Sequence, residues 1–343
     1  MSLLQQIPFP WQKNLWDKIT SEFREKRLAH AYLISGAQGI GKELFAYGLA
    51  KFIMCSAPEK LSACGSCENC KYGGNIEGGH PDTIVLTVEE GSHDIKIDQV
   101  RSMSDFLEKT SHAGQAKVAI IANAHRMNTG AANALLKTLE EPTGNTYLLL
   151  STHLPGSLPA TVRSRCHKIS MEIPDQKTAI DWLSLHIPNQ ENPLALARSA
   201  QNRPLYGLEL SHTGGLENQQ QFLNKLVQLS AGDTSIQATV ALAKKIGEQV
   251  VVRYLIQVSI ILVKYLLTNQ RSGELEPEHQ ELLSMFQQEK AVSISLLPNL
   301  MRYYDQAQES HRQLLGNTNP NPQLIMESLL WGWSQLIRSF PTR

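Results

Sequence analysis

Over roughly the first 170 residues, short apolar runs alternate with longer amphipathic stretches. The runs 31–34, 83–87, 117–121, 147–151 and 167–170 read as strands, and the stretches 43–55, 97–109, 130–140 and 158–164 between them as helices. Strands that alternate with helices predict a parallel sheet wrapped by helices. In 130–140 the residues Ala131, Leu135, Leu136 and Leu139 form an apolar stripe at helical spacing, and Pro142 marks the stop.

Beyond 174 the strand signal disappears. Residues 174–211 carry helical patterns broken by Pro188, Pro193 and Pro204, and 211–220 reads as a loop. Residues 217–339 are helical nearly throughout, punctuated at Gly232-Asp233, 271–277 and 316–322. The expected architecture is an α/β domain over 1–172, a small helical domain over 173–211 and an all-α bundle over 212–343.

Composition narrows the function. The 343 residues are 42% hydrophobic and 19% charged, with 32 basic and 32 acidic side chains and no net charge. A dedicated nucleic-acid binder shows a basic excess, so direct grip on DNA is not announced. No basic stretch followed by an apolar one opens the chain, which predicts no secretory signal. The most membrane-like stretch, 250–267, contains Arg253, Gln257 and Lys264 and reads as a buried bundle helix. The expectation is a cytoplasmic protein with no membrane partner.

Candidate chemistry begins directly after the first strand. Gly36, Gly39, Gly41 and Lys42 follow the G-x-x-x-x-G-K pattern of a phosphate-binding loop opening a helix. Glycines let backbone N–H groups converge on phosphate oxygens, the helix N-terminus favours anions, and the lysine reaches the outer phosphates. The full pattern continues with a Ser or Thr that holds Mg²⁺, and here Glu43 stands there. A carboxylate can touch Mg²⁺, but it also sets negative charge beside the phosphates. A complete ATPase site also needs acids at the end of a buried strand. The strand 118–121 is followed by Ala122-Asn123-Ala124-His125, which has no carboxylate. Autonomous ATP hydrolysis is not expected, and retention of ATP and Mg²⁺ by the loop is left open.

Four of the five cysteines, Cys55, Cys64, Cys67 and Cys70, crowd into a small polar segment. Four thiolates suit a closed tetrahedral zinc site of structural type; an iron–sulfur cluster or free thiols are the alternatives. Cys166 lies apart and reads as a buried apolar residue.

Together, the loop, the cysteine module, Ala132-Asn-Ala-Leu-Leu-Lys-Thr-Leu-Glu-Glu-Pro142 and Ser164-Arg165-Cys166 resemble the bacterial clamp-loader AAA+ ATPases of DNA polymerase III. The likeness is strong over the first 170 residues, and the three-domain layout extends it along the chain. Within that family, Glu43, the missing acids and Pro8-Phe9-Pro10-Trp11 resemble the non-motor delta-prime type rather than the gamma and tau motors. The resemblance implies an AAA+ fold with an inserted zinc module, a lid domain and an oligomerisation collar. It implies gamma/tau and delta subunits as partners, the sliding clamp and primer-template DNA as indirect ones, and nucleotidyl transfer only at the level of the holoenzyme. The motors carry an arginine in the second domain, where this chain aligns Leu205 with Arg203 nearby. Ser151-Thr152 match the motors' phosphate-sensing strand end. Arg165 would reach across a subunit interface to a neighbour's ATP as an arginine finger; by itself it reads as a surface arginine at a helix end.

Two other functions compete. A divergent gamma/tau-like motor would hydrolyse ATP alone, dependent on Lys42. A zinc-dependent DNA-binding protein would bind DNA with steep salt dependence, and the balanced charge opposes it.

Overall fold

Five strands form one parallel sheet in the order β2-β3-β4-β1-β5. They are β1 (Ala31–Ser35), β2 (Thr83–Leu86), β3 (Lys117–Ile121), β4 (Thr146–Thr152) and β5 (His167–Ser170). The computed structural model describes residues 3–59, 61–72, 79–112, 116–268, 282, 297–315 and 320–338. The punctuation expected at 271–277 lies outside the described residues, as do positions 316–319 of that expected at 316–322.

The chain divides into two units, Met1–His212 and Thr213–Arg343. In the first, the strand period of two sorts side chains to the two sheet faces. Ala31, Leu33, Ala119, Ile121, Leu148 and Leu150 share one buried cluster with residues of α4 (Ile97–Glu108), α5 (Thr129–Glu140) and α6 (Ala160–Arg165). Tyr32, Ile34, Val118, Ile120 and Leu149 share the other with α1 (Lys13–Arg24) and α2 (Lys42–Met54). Helices therefore cover both faces, which is why β3 is buried throughout.

All five expected strands and the four expected helices form, with ends shifted by a residue or two, as is usual at fraying termini. In α5, Ala131, Leu135 and Leu139 are fully buried, and Leu136 packs against them partly buried. The helix α1 was not anticipated. Its Trp16, Ile19 and Phe23 recur at helical spacing, and Trp16 packs edge-on against Phe45 and Phe52 of α2 at 5.3 and 6.0 Å. A short helix α3 (Glu68–Tyr72) closes the cysteine segment and carries its last cysteine, Cys70.

Pro188 lies in the connection after α7 (Gln176–Ser184), whereas the next two prolines begin helices rather than interrupt them. Pro193 opens α8 (Pro193–Ser199) and Pro204 opens α9 (Pro204–His212). Proline's missing N–H is harmless in the first turn, and Asn192 caps α8 by accepting from Leu194 N and Ala195 N.

The loop expected at 211–220 is a correction. α9 runs to His212 and α10 (Gly215–Ala231) starts three residues later, leaving a turn at Thr213-Gly214. Gly214 takes φ 62°, so a left-handed residue makes the turn where a run of polar residues suggested a linker.

The second unit is helical: α10, α11 (Ile236–Ile246), α12 (Glu248–Thr268), α13 (Leu297–Leu315) and α14 (Pro322–Arg338). Helix α12 is long and apolar enough to cross a membrane by length and composition over Glu248–Leu267. Its Val251, Leu255, Val258 and Leu262 are nevertheless buried in the unit's core with Leu300, Leu330 and Trp333. Trp333 satisfies its indole by donating to Ser230 Oγ at 2.9 Å.

Candidate functional sites

The glycine loop joins the tip of β1 to the first turn of α2, beside the point where the sheet order reverses. Ligands of open α/β sheets bind in the crevice at such a point. Gly36 lies so close to the backbone after β5 that a Cβ would meet Met171 O at 2.4 Å. Gly39, at φ 84°, faces Tyr206, whose Cβ would be 2.5 Å from an added one. Gly41 is the N-cap of α2.

Neighbouring segments hold the loop's carbonyls. Trp11 Nε1 donates to Ile40 O at 2.9 Å, and Gln12 Nε2 bridges Ile40 O and Gly41 O, both at 3.2 Å. Leu205 N donates to Gly39 O at 3.1 Å. Phe9 stacks on Trp11, and Trp182 of α7 meets both edge-on at 5.6 Å. The sequence reading noticed 8–11 only as a likeness and missed Gln12 and Tyr206. Their partners lie 28 and 167 residues away, with no local signal connecting them.

Lys42 is buried and donates to Ala37 O at 2.6 Å. Burial pushes its ammonium down to about 8; Glu43 opposes that shift and the nearby Arg203 adds to it. A cation held against its hydration preference, at a helix N-terminus, is equipped to receive an anion.

Glu43 meets Asn123, 80 residues away: Asn123 Nδ2 donates to Glu43 Oε1 at 2.7 Å. Asn123 sits at φ 54°, a left-handed conformation that asparagine tolerates, and its N–H donates to Ser151 Oγ at 3.1 Å. Thr152 Oγ1 accepts from Leu154 N and lies 3.3 Å from His125 Nδ1. Burial pushes His125 down to about 3, with the adjacent His153 adding to the effect, so the imidazole is neutral at ordinary pH. The C-terminal tips of β1, β3 and β4 thus bring together the loop, Asn123 and Ser151-Thr152. Near the loop, Leu205 rather than Arg203 meets Gly41, while Arg203 lies over the Tyr206 ring at 4.6 Å.

At the other end of α2 the four cysteines converge. All four Sγ atoms lie within 4.8 Å of one another, with Cys55–Cys67 and Cys64–Cys70 at 4.0 Å. A tetrahedron of Zn–S bonds of about 2.3 Å has edges of about 3.8 Å, so the cluster fits a metal ion of that kind. The backbone already treats the sulfurs as acceptors: Cys64 N donates to Cys55 Sγ, Cys67 N to Cys64 Sγ and Cys70 N to Cys67 Sγ. Such bonds lower the Cys64 thiol, and a bond from Ser56 N brings Cys67 to about 6, whereas burial raises Cys55 and Cys70. Cys166 lies elsewhere, buried, its thiol pushed up to about 11 by desolvation.

Arg165 ends α6 on an exposed edge of the first unit. Its Nη2 pairs with Glu140 Oε1 at 2.5 Å, and its Nη1 donates to Thr161 O at 3.0 Å. Glu140 lies within the motif noted in the sequence, but its role there was not read.

Comparison with known proteins gives the family of the chain. A family model described as "DNA polymerase III, delta subunit" matches residues 11–175. The chain is 29% identical to the DNA polymerase III subunit delta' of Pseudomonas aeruginosa over 96% of its own length and 98% of that protein's. It is 30% identical to the Yersinia pestis subunit delta', covering 95% of each. A third relative, the subunit tau/gamma of Haemophilus influenzae, is 32% identical over 64% of this chain, which spans about a third of that protein's length. The class is that of the DNA polymerase III subunits. The chain belongs to the delta-prime subunit family of DNA polymerase III.

Proposed function

We propose that this chain is the non-motor member of a clamp-loader ring. In this reading it completes the ring, holds no working ATPase site, and supplies Arg165 to the ATP of an adjacent gamma/tau motor. The first unit provides the AAA+-type domain, with residues 173–211 as its lid. The helices from 212 onward provide the collar, and the delta subunit is a further partner.

The observation that carries the reading is the Asn123–Glu43 hydrogen bond. In an active site of this class, the residue after the loop lysine and the residues ending β3 share a magnesium ion. Here those positions satisfy each other through protein atoms. Glu43 stands where the metal-binding Ser or Thr would be, and 122–125 lacks the acids that would orient metal and water, while Lys42 is kept. The same constellation leaves the phosphate-binding parts in place, so nucleotide binding without turnover is compatible with it.

Cys55, Cys64, Cys67 and Cys70 would hold a structural Zn²⁺. With four ligands the ion would have no open position for chemistry and would organise a loop too small to build a core.

Reconstitution with the motor and delta subunits tests the proposal. Clamp loading and ATP turnover should require this chain, and Arg165→Ala should lower turnover, the effect of an arginine finger being about 10³–10⁵. ATP hydrolysis by the isolated chain, abolished by Lys42→Ala, would instead establish a divergent motor.

A further inference from the structure

The pairing of Arg165 with Glu140 carries a role that neither residue has alone. An arginine acting in trans must present its guanidinium in one orientation before the neighbour's phosphate arrives. A free arginine side chain samples many rotamers, which works against that. Here two contacts fix the group from one side. Thr161 O, one turn back on α6, accepts from Nη1, and Glu140 Oε1, at the end of α5, pairs with Nη2.

The two helices pack on each other beneath these side chains. Val162 of α6 and Leu135 and Leu139 of α5 are buried in the same cluster. The carboxylate therefore stands on a fixed platform, not on a loop. Both side chains stay partly exposed, Arg165 at 37% and Glu140 at 50%. An ion pair this open to solvent is worth little to stability. It can still select a rotamer, and it is weak enough for a more highly charged phosphate to compete with it.

We infer that Glu140 is a positioning residue for Arg165, holding the guanidinium outward for the phosphate of an adjacent subunit. The inference rests on the reading of Arg165 as a trans-acting arginine. It adds a cis carboxylate, with no contact to nucleotide, on which that arginine depends.

The test uses the assembled ring with motor and delta subunits, clamp and primed DNA, and measures ATP turnover against ATP concentration. Glu140→Gln keeps the shape and removes the charge. It is expected to lower kcat by up to about 10²-fold, the scale on which a misplaced catalytic group acts, with KM for ATP little changed. In an Arg165→Ala background the same substitution should do nothing further, because there is no guanidinium left to place. A purely structural role for Glu140 would instead lower the rate in both backgrounds and lower the melting temperature of the isolated chain.

Wild-type turnover, or faster turnover, for Glu140→Gln overturns the positioning role while leaving Arg165 intact as the finger. An additive loss in the double variant overturns it as well. If Arg165→Ala alone leaves turnover unchanged, both the finger and its positioning residue fall together.

Discussion

Helix α2 carries a small-residue loop at each end, and the two ends solve the same problem differently. Neither loop buries enough apolar surface to order itself. At the N-terminal end, residues 36–41 are ordered by protein atoms: Trp11, Gln12 and Leu205 hold the carbonyls, Ala37 O takes the Lys42 ammonium, and Asn123 takes Glu43. At the C-terminal end, the four Sγ atoms are gathered within 4.8 Å of one another. A site whose ligand-binding groups have become each other's partners can keep its shape without the ligand. A cluster of four converging thiols suits a cation, whose charge would favour the deprotonated sulfurs.

That contrast predicts unequal responses. The largest belongs to the cysteines. Serine at Cys64 or Cys67, or treatment of the protein with a strong chelator, should release one metal ion per chain. The segment 55–72 should then become open to protease, since structural zinc in small modules is worth about 10–16 kcal/mol in apparent binding free energy. Metal analysis before and after, with mapped proteolysis, measures this; a metal-free protein with the same cleavage pattern would break the comparison.

Next in size is Lys42. Its folded pKa of about 8 lies below the ordinary 10.5. The unfolded chain therefore binds more protons between those values, and stability rises with pH across that window. Lys42→Met removes the penalty. It should stabilise the protein at pH 7 by about 1–3 kcal/mol, with the gain disappearing near pH 10.5. Denaturant melts at several pH values read this out, and a variant destabilised at pH 7 would show that the Ala37 bond outweighs burial.

The smallest effect is expected at the bond between Glu43 and Asn123. Removing either partner should cost about 1 kcal/mol, with coupling of similar size in a double-mutant cycle and no dependence on added Mg²⁺. Stabilisation of the wild-type chain by Mg²⁺ that disappears in Glu43→Ala would mean that this end, too, still serves a metal.

Much of this was legible along the chain. The apolar character of β1, β3 and β4 follows from burial on both faces of the sheet, whereas the edge strand β5 is mostly exposed. The glycine-lysine loop and the cysteine spacing are local patterns whose chemistry depends on residue type and a few positions of separation. Helix α1 escaped notice because only Leu15, Trp16, Ile19 and Phe23 mark it among polar neighbours. The turn at Thr213-Gly214 was mistaken for a longer loop because polar residues at a helix start look like linker. Composition does not distinguish the two; the left-handed φ of Gly214 does.

The sequence by itself determined which groups were missing from the loop and from the end of β3, because those are questions of residue identity. Only the tertiary structure decided what replaced them. Asn123 and Glu43, Gln12 and the loop carbonyls, and Glu140 and Arg165 are separated by 80, 28 and 25 residues of sequence. A hydrogen bond or ion pair depends on distances of a few ångströms. Those distances are set by strand register and helix packing, which no local pattern of residues records.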